Sequence, residues 1–161
     1  MNDATGEDAL AAALGRVPSG LFVLTVRTGG ADTGMLASWV QQCSFEPPQV
    51  SVAVNKQRTA IAGLADGAPF VLNVIPEGGK ALVAHFGKGF AADEPAFTDL
   101  EVVREGDSPP VLQAACAYLV CRVAARIDVG DHVLVVGRVT AGRVLRDGKP
   151  TVHVRKNGLR Y

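Results

Sequence analysis

Apolar residues recur first with a helical period and then with a strand period. Ala9, Leu10, Ala13, Leu14 and Val17 follow Thr5-Gly6-Glu7-Asp8, a capping-box pattern, and predict a short amphipathic helix over about residues 7–14. Pro18-Ser19-Gly20 ends it. From Leu21 to Arg27 the residues are β-branched, aromatic or long aliphatic, and a glycine-bearing turn over residues 28–32 leads to a second extended stretch from about Thr33 to Phe45, a hairpin pattern. Glu46-Pro47-Pro48 stops pairing, because proline has no ladder donor. Between Gln49 and Asn55 the residues Val50, Val52 and Val54 alternate with polar or small ones, so one face of that strand is buried. A short helix is expected over 58–65 with Ile61 and Leu64 inward, a strand without a wet face over 70–75, and a helix over 80–86 offering Leu82, Val83 and Phe86. Residues 87–110 are rich in Gly, Pro, Asp and Glu, and a loop of that length is functional or mobile more often than not. Two alternating runs, Leu119 to Asp128 and Val133 to Ala141, flank a turn at Gly130-Asp131-His132. Asp147-Gly148-Lys149-Pro150 predicts a tight hairpin turn before a last strand over 151–154.

Six or seven strands joined by short helices predict a mainly β protein, a Greek-key barrel whose closure removes exposed strand edges. The 161 residues suit one domain spanning 1–161, with residues 1–6 expected to be flexible. Hydrophobic residues make up 48% and charged ones 20%, which excludes disorder over most of the length. Eighteen glycines and nine prolines favour short strands and many turns over long helices.

The formal net charge is zero, so the chain lacks the positive excess of a protein that binds nucleic acid through phosphate neutralisation. Basic residues nevertheless crowd the last forty positions, where Arg122, Arg126, Arg138, Arg143, Arg146, Lys149, Arg155, Lys156 and Arg160 face only Asp128, Asp131 and Asp147. Solvated strand ends and turns are the simpler explanation, and a local anion site for a phosphate-bearing ligand is the sharper alternative. Cys43, Cys116 and Cys121 lack redox or metal-ligand spacing and read as small core hydrophobes. His85, His132 and His153 are scattered likewise, so no metal site is expected. An acidic start without a basic n-region, and the absence of any apolar run of membrane-spanning length, predict a cytoplasmic protein without membrane partners.

Three blocks go beyond generic β structure: residues 33–50, which run from Thr33-Gly34-Met35 through Ser38-Trp39-Val40-Gln41-Gln42-Cys43-Ser44 to Pro47-Pro48; His85-Phe86-Gly87-Lys88-Gly89-Phe90; and Gly130-Asp131-His132 with Gly137 and the late Lys156-Asn157-Gly158. Together they resemble the flavin reductase-like family, from about Leu14 to Tyr161. The resemblance implies a split β-barrel of the FMN-binding type, usually a homodimer, holding FMN, with FAD as the alternative. It implies ring and ribityl contacts from Ser38, Trp39 and Val40, taken to lie mid-strand, with Ser44 close by. Asn55-Lys56-Gln57-Arg58-Thr59 becomes the candidate phosphate site, since a helix N-terminus, a guanidinium and a hydroxyl all suit an anion. His85, Phe86, Gly87 and Lys88 resemble a segment that closes over the flavin, although His85 reads equally well as a satisfied helix-end histidine.

In similar reductases a histidine matching His132, supported here by Asp131, lies near the open flavin face where the nicotinamide docks. NAD(P)H is then the expected electron donor and hydride transfer the reaction, with the cofactor doing the difficult chemistry. No G-x-G-x-x-G loop is present, so the nucleotide would dock directly at the flavin. A monooxygenase or another acceptor would take the reduced flavin. Two other functions fit the same pattern: an FMN-binding electron relay fed by a protein donor without a nicotinamide site, as in flavoredoxin-like proteins, and a split barrel holding haem, a deazaflavin or pyridoxal phosphate. Trp39 is bulky where many similar reductases carry a smaller residue, and it fits a place near the flavin or at a subunit interface.

Overall fold

A computed structural model describes residues 6–160 of the chain. The expected flexibility of residues 1–6, and the Thr5 of the capping box, fall mainly or wholly outside the described residues. Helix α1 (Gly6–Gly15) matches the predicted first helix. The strands are β1 (Ser19–Gly20), β2 (Phe22–Thr28), β3 (Ala31–Ala37), β4 (Val40–Ser44), β5 (Gln49–Asn55), β6 (Pro69–Val74), β7 (Val102–Val103), β8 (Val111–Leu112), β9 (Ala117–Val129), β10 (His132–Val144) and β11 (Val152–His153). A 3-10 helix (Thr59–Gly63) follows β5, and α2 (Lys80–Gly87) follows β6.

Seven strands form one antiparallel sheet in the order β3-β2-β6-β9-β10-β5-β4. The edge strands β3 and β4 are consecutive in sequence, yet no ladder joins them. The sheet therefore curls into a barrel with a seam, and Ser38-Trp39 carries the chain across that seam. This is the split barrel expected from the sequence. Its interior is filled by one face of each strand, including Leu24, Val26, Val52, Val54, Phe70, Leu72, Cys121, Val123 and Val135, with Leu64 closing one end.

A second apolar layer lies outside β2 and β3, where Leu21, Val23, Ile75, Leu82, Phe86, Phe90, Ala96 and Leu112 pack together. Both faces of β2 and β6 are therefore covered, which is why those strands read as continuous apolar runs rather than alternations. Loop 87–110 belongs to this layer and is tied to it by polar bonds. His85 Nε2 lies 2.8 Å from the Ala96 carbonyl, Thr25 Oγ1 donates to the Pro110 carbonyl at 2.6 Å, and Asn73 both donates to the Val23 carbonyl and accepts from the Leu112 N–H.

Four expectations about elements are corrected, and Cys43, expected to fill a core position, is exposed on β4. The single extended stretch over 33–45 is two strands, because β3 pairs with β2 and β4 with β5 at the opposite edge of the sheet. Ser38 and Trp39 consequently lie between strands, and Val40 begins β4 instead of lying mid-strand. The helix expected over 58–65 is the five-residue 3-10 turn, too short to present a helix-dipole anion site. His132 is not a turn residue: it opens β10, opposite Asn55. Finally, the turn at 147–150 does not make a hairpin with β10, since β11 pairs with β1, Ser19 opposite His153. That pairing joins segments distant in sequence, which local turn chemistry does not report.

Candidate functional site

The seam exposes backbone that a closed barrel would hide, and three clefts run along it. At one end, a cleft of about 280 Å³ is walled by Thr33, Gly34 and Met35 of β3, by Gln57 to Ala60, and by Lys88 to Ala91. Local bonding explains its shape. Asn55 Oδ1 accepts from the Gln57 N–H at 2.9 Å, and the Asn55 carbonyl accepts from the Arg58 N–H at 3.0 Å, which turns the chain out of β5 and presents Arg58. Thr59 Oγ1 donates to the Phe90 carbonyl at 2.9 Å and fixes the opposing loop. Gly89 has φ +76°, which favours glycine, and a Cβ there would lie 3.1 Å from Nη1 at the mobile end of the Arg58 side chain, so conformation rather than space selects it. Lys88 extends over the Phe90 ring, 4.8 Å from its centroid, with Glu94 3.6 Å from its Nζ. Two cations thus line a small open cleft, with Thr59 holding the loop that carries one of them, an arrangement suited to a phosphate group.

A narrow cleft of about 160 Å³ continues from there, sharing Met35 and Arg58 with the first and adding Leu36 to Ser38, Ala53, Asn55, Gly87 and His153. It opens in turn on a wide, largely apolar cleft of about 800 Å³, with which it shares Leu21, Ser38 and Ala53, and whose rim includes Val17, Trp39, Val40, Leu134, Val152 and Arg155. The three form a trough that is cationic at one end, narrow in the middle, where Ser38, Asn55 and His153 stand among apolar neighbours, and apolar at the other. An FMN molecule has the same order of chemistry: phosphate, hydroxylated chain, flat ring. The residues present therefore fit a flavin.

Beside the trough, His132 is only 8% exposed. Its Nδ1 lies 2.7 Å from Asp131 Oδ1, and this hydrogen bond, more than any other contact, holds the Asp131 carboxyl below the usual aspartate range. The Trp39 ring covers the imidazole, centroids 4.8 Å apart and tilted by 39°. The Arg155 guanidinium lies 5.0 Å from the Trp39 centroid.

Of the residues singled out from the sequence, Ser38, Trp39, Val40, Asn55, Arg58, Thr59, Gly87 and Lys88 line the trough. Four do not. Ser44 is at the far end of β4, opposite Gln49. Lys56 turns away towards Asp128, 3.7 Å from its carboxylate. His85 is spent on the Ala96 carbonyl, as its bland interpretation had it. Phe86 is buried under Gly34, with no room between them for a Cβ. His132 adjoins the trough through Asn55 with its imidazole covered by Trp39, whereas the Asp131 side chain is exposed. Sequence reasoning gave Gly89 a close backbone approach but assigned no site role to Leu21, the Thr33–Met35 wall, Ala53, Phe90, Ala91, His153 or Arg155. The basic excess of the last forty residues pointed weakly at Arg155; Arg122 and Arg146, by contrast, donate to the Gly67 and Gln113 carbonyls.

Among the described residues, no cluster of His, Cys, Asp and Glu is placed to hold a metal ion, and no helix is long and apolar enough to cross a membrane.

The flavin reductase like domain family matches residues 14–158. A putative diflavin flavoprotein A 6 of Nostoc sp. is 43% identical over 151 residues, and a diflavin flavoprotein A 1 of Synechocystis sp. is 40% identical over the same length. Each alignment covers 92% of this chain and 26% of the relative, so the chain spans about a quarter of the length of these curated relatives. Among solved structures, an NADH:FAD oxidoreductase of Streptomyces globisporus superposes with a TM-score of 0.82 at 24% identity, over 89% of this chain and 85% of that one. The styrene monooxygenase flavin reductase of Pseudomonas putida S12 superposes with a TM-score of 0.74 at 27% identity, over 89% of this chain and 90% of that one. With seam, barrel and trough all in agreement, the chain belongs to the flavin reductase like domain family.

Proposed function

We propose that this domain binds FMN along the trough and is reduced there by a nicotinamide nucleotide, NADH or NADPH. The observation that carries the reading is the order of chemistry along the seam, with Arg58, Lys88 and Thr59 at one end and an apolar cleft at the other. When bound, the flavin supplies a hydride acceptor at its ring. The chain's own part is binding and positioning. Arg58 and Lys88 hold the phosphate, Ser38 and Asn55 offer polar groups to the middle of the ligand, and the backbone at the seam offers N–H and C=O groups to the ring edge. His132, oriented by Asp131, is the group that would meet the nicotinamide. Likeness to reductases, one of them paired with a styrene monooxygenase, supports delivery of reduced flavin to a monooxygenase or another acceptor.

A second reading is favoured by one specific observation. Trp39 covers His132, so a protein donor that does not need the imidazole would reach the flavin more directly, making the domain an electron relay. The diflavin names of the relatives agree with a domain that hands electrons on within a larger protein. In either case a homodimer is proposed, because Val17, Trp39 and Val152 leave the rim of the wide cleft apolar and exposed.

Visible absorption titration with FMN, followed by anaerobic addition of NADH and NADPH in separate cuvettes, tests the proposal. Bleaching by one nucleotide establishes the reductase and its donor. Binding without bleaching favours the relay, and no binding overturns both.

A further inference from the structure

The trough does not stop at its cationic end. Its two walls are β3, followed backwards, and the loop after α2, followed forwards. Leu36 to Ser38 and Gly87 flank the narrow cleft, and Thr33, Gly34 and Lys88 to Ala91 flank the cationic one. The next residues along both walls, Ala31 and Asp32 on one side and Ala92 to Thr98 on the other, line a fourth cleft of about 360 Å³. Neighbouring residues of a strand are about 3.3 Å apart, so this cleft lies where a ligand longer than the cationic cleft would go next. Its charge is reversed. Asp32, Asp93 and Glu94 line it, and no Lys or Arg among the described residues does. The Asp32 carboxylate is held by Arg27 at 3.2 Å and by Arg104, which leaves Asp93 and Glu94 to set the charge. Glu94 stands at the boundary. Its Oε2 accepts from the Ala91 N–H at 3.2 Å, its own N–H donates to the Ala91 carbonyl at 3.1 Å, and its Oε1 lies 3.6 Å from Lys88 Nζ.

We propose that Glu94, seconded by Asp93, ends the ligand site after one phosphate, so that the domain takes FMN and discriminates against FAD. The inference rests on the flavin reading above and names the form of flavin. FMN ends in a phosphomonoester, which at neutral pH carries about two negative charges on one phosphorus and offers three terminal oxygens to Arg58 and Lys88. FAD carries a similar total charge spread over two bridged phosphorus atoms. Once one of them is held by Arg58 and Lys88, the other falls on the side of Glu94 and Asp93, where like charges oppose it. FMN therefore sets all its charge against cations, and FAD sets half of its charge against carboxylates. The Lys88 and Glu94 side chains are both exposed, so the discrimination is modest in size and screened by salt.

The test is fluorescence titration of the full chain with riboflavin, FMN and FAD at low ionic strength. The wild type binds FMN about ten times more tightly than FAD. E94Q keeps an acceptor for the Ala91 N–H and removes the charge, and it narrows the FMN-to-FAD ratio about threefold. E94K alters the charge by two and narrows the ratio about tenfold. The ratio is the readout, because releasing Lys88 from Glu94 strengthens both phosphorylated ligands, whereas FAD alone gains on the Glu94 side. Raising the salt to about 0.5 M narrows the wild-type ratio as well. Riboflavin, which has no phosphate, binds each variant as it binds the wild type and reports that the fold is intact. Equal affinities for FMN and FAD in the wild type, or a ratio unmoved by both E94Q and E94K, would overturn the discrimination and leave the flavin reading standing. Binding of none of the three flavins would remove both.

Discussion

At the scale of single residues, Arg58 separates the phosphate from the rest of the ligand. R58Q should weaken FMN binding by about 1.5–3 kcal/mol, roughly ten- to hundredfold in Kd, and leave riboflavin, which lacks the phosphate, nearly unaffected. Parallel fluorescence titrations with the two flavins check this, and equal losses would place the phosphate elsewhere. Asp131 makes a prediction in pH. Its carboxyl is held below the usual range mainly by the hydrogen bond from His132, so the folded state favours the ionised form. A lowered carboxylate contributes stability that is fully present above the unfolded value of about 3.9 and is lost as pH falls through the folded one. Urea midpoints of the wild type and D131N should therefore differ by a constant amount at neutral pH and converge as the solution is acidified from about pH 4. The thiols divide by burial. Burial pushes Cys121 up to about 12, whereas Cys43 is exposed on β4. A native thiol titration at pH 8 should modify Cys43 quickly and leave Cys116 and Cys121 until the protein unfolds.

At the scale of elements, β10 depends on Gly137, which sits at a bulge and faces the fully buried Phe70 ring with no space for a Cβ. G137A should cost about 1–3 kcal/mol through overpacking, visible as a lower urea midpoint with little change in the slope. The strands were legible because their signals are local: Val50, Val52 and Val54 alternate, and Phe70 to Leu72 announce a strand covered on both sides. Arg58, Thr59 and Lys88 were found because a motif carries them. The chain's passage across the seam at Ser38-Trp39 was not legible, since its residues continue the apolar run and only the choice of partner strand breaks it. Nor was the β1–β11 pair, whose two residues on each side carry no periodicity. His153 and Arg155 reach the clefts only through that pairing, so the trough was read with one wall missing. The cover over His132 was hidden for the same reason, because Trp39 meets it across two strands.

At the scale of the whole molecule, the wide cleft leaves apolar surface on its rim, and Val152 is 72% exposed. Light scattering should return twice the chain mass, and a monomer would leave that rim uncovered and count against a site shared between subunits. The same wall is fastened to α1 by two bonds, from the Arg155 N–H to the Gly15 carbonyl at 3.1 Å and from the Gly158 N–H to the Ala11 carbonyl at 2.7 Å. All seven strands of the barrel lie within the chain up to the end of β10, whereas His153 and Arg155 follow it and clip back onto α1 and β1. A chain ending at residue 150 should thus keep every strand of the barrel and lack one wall of its mouth.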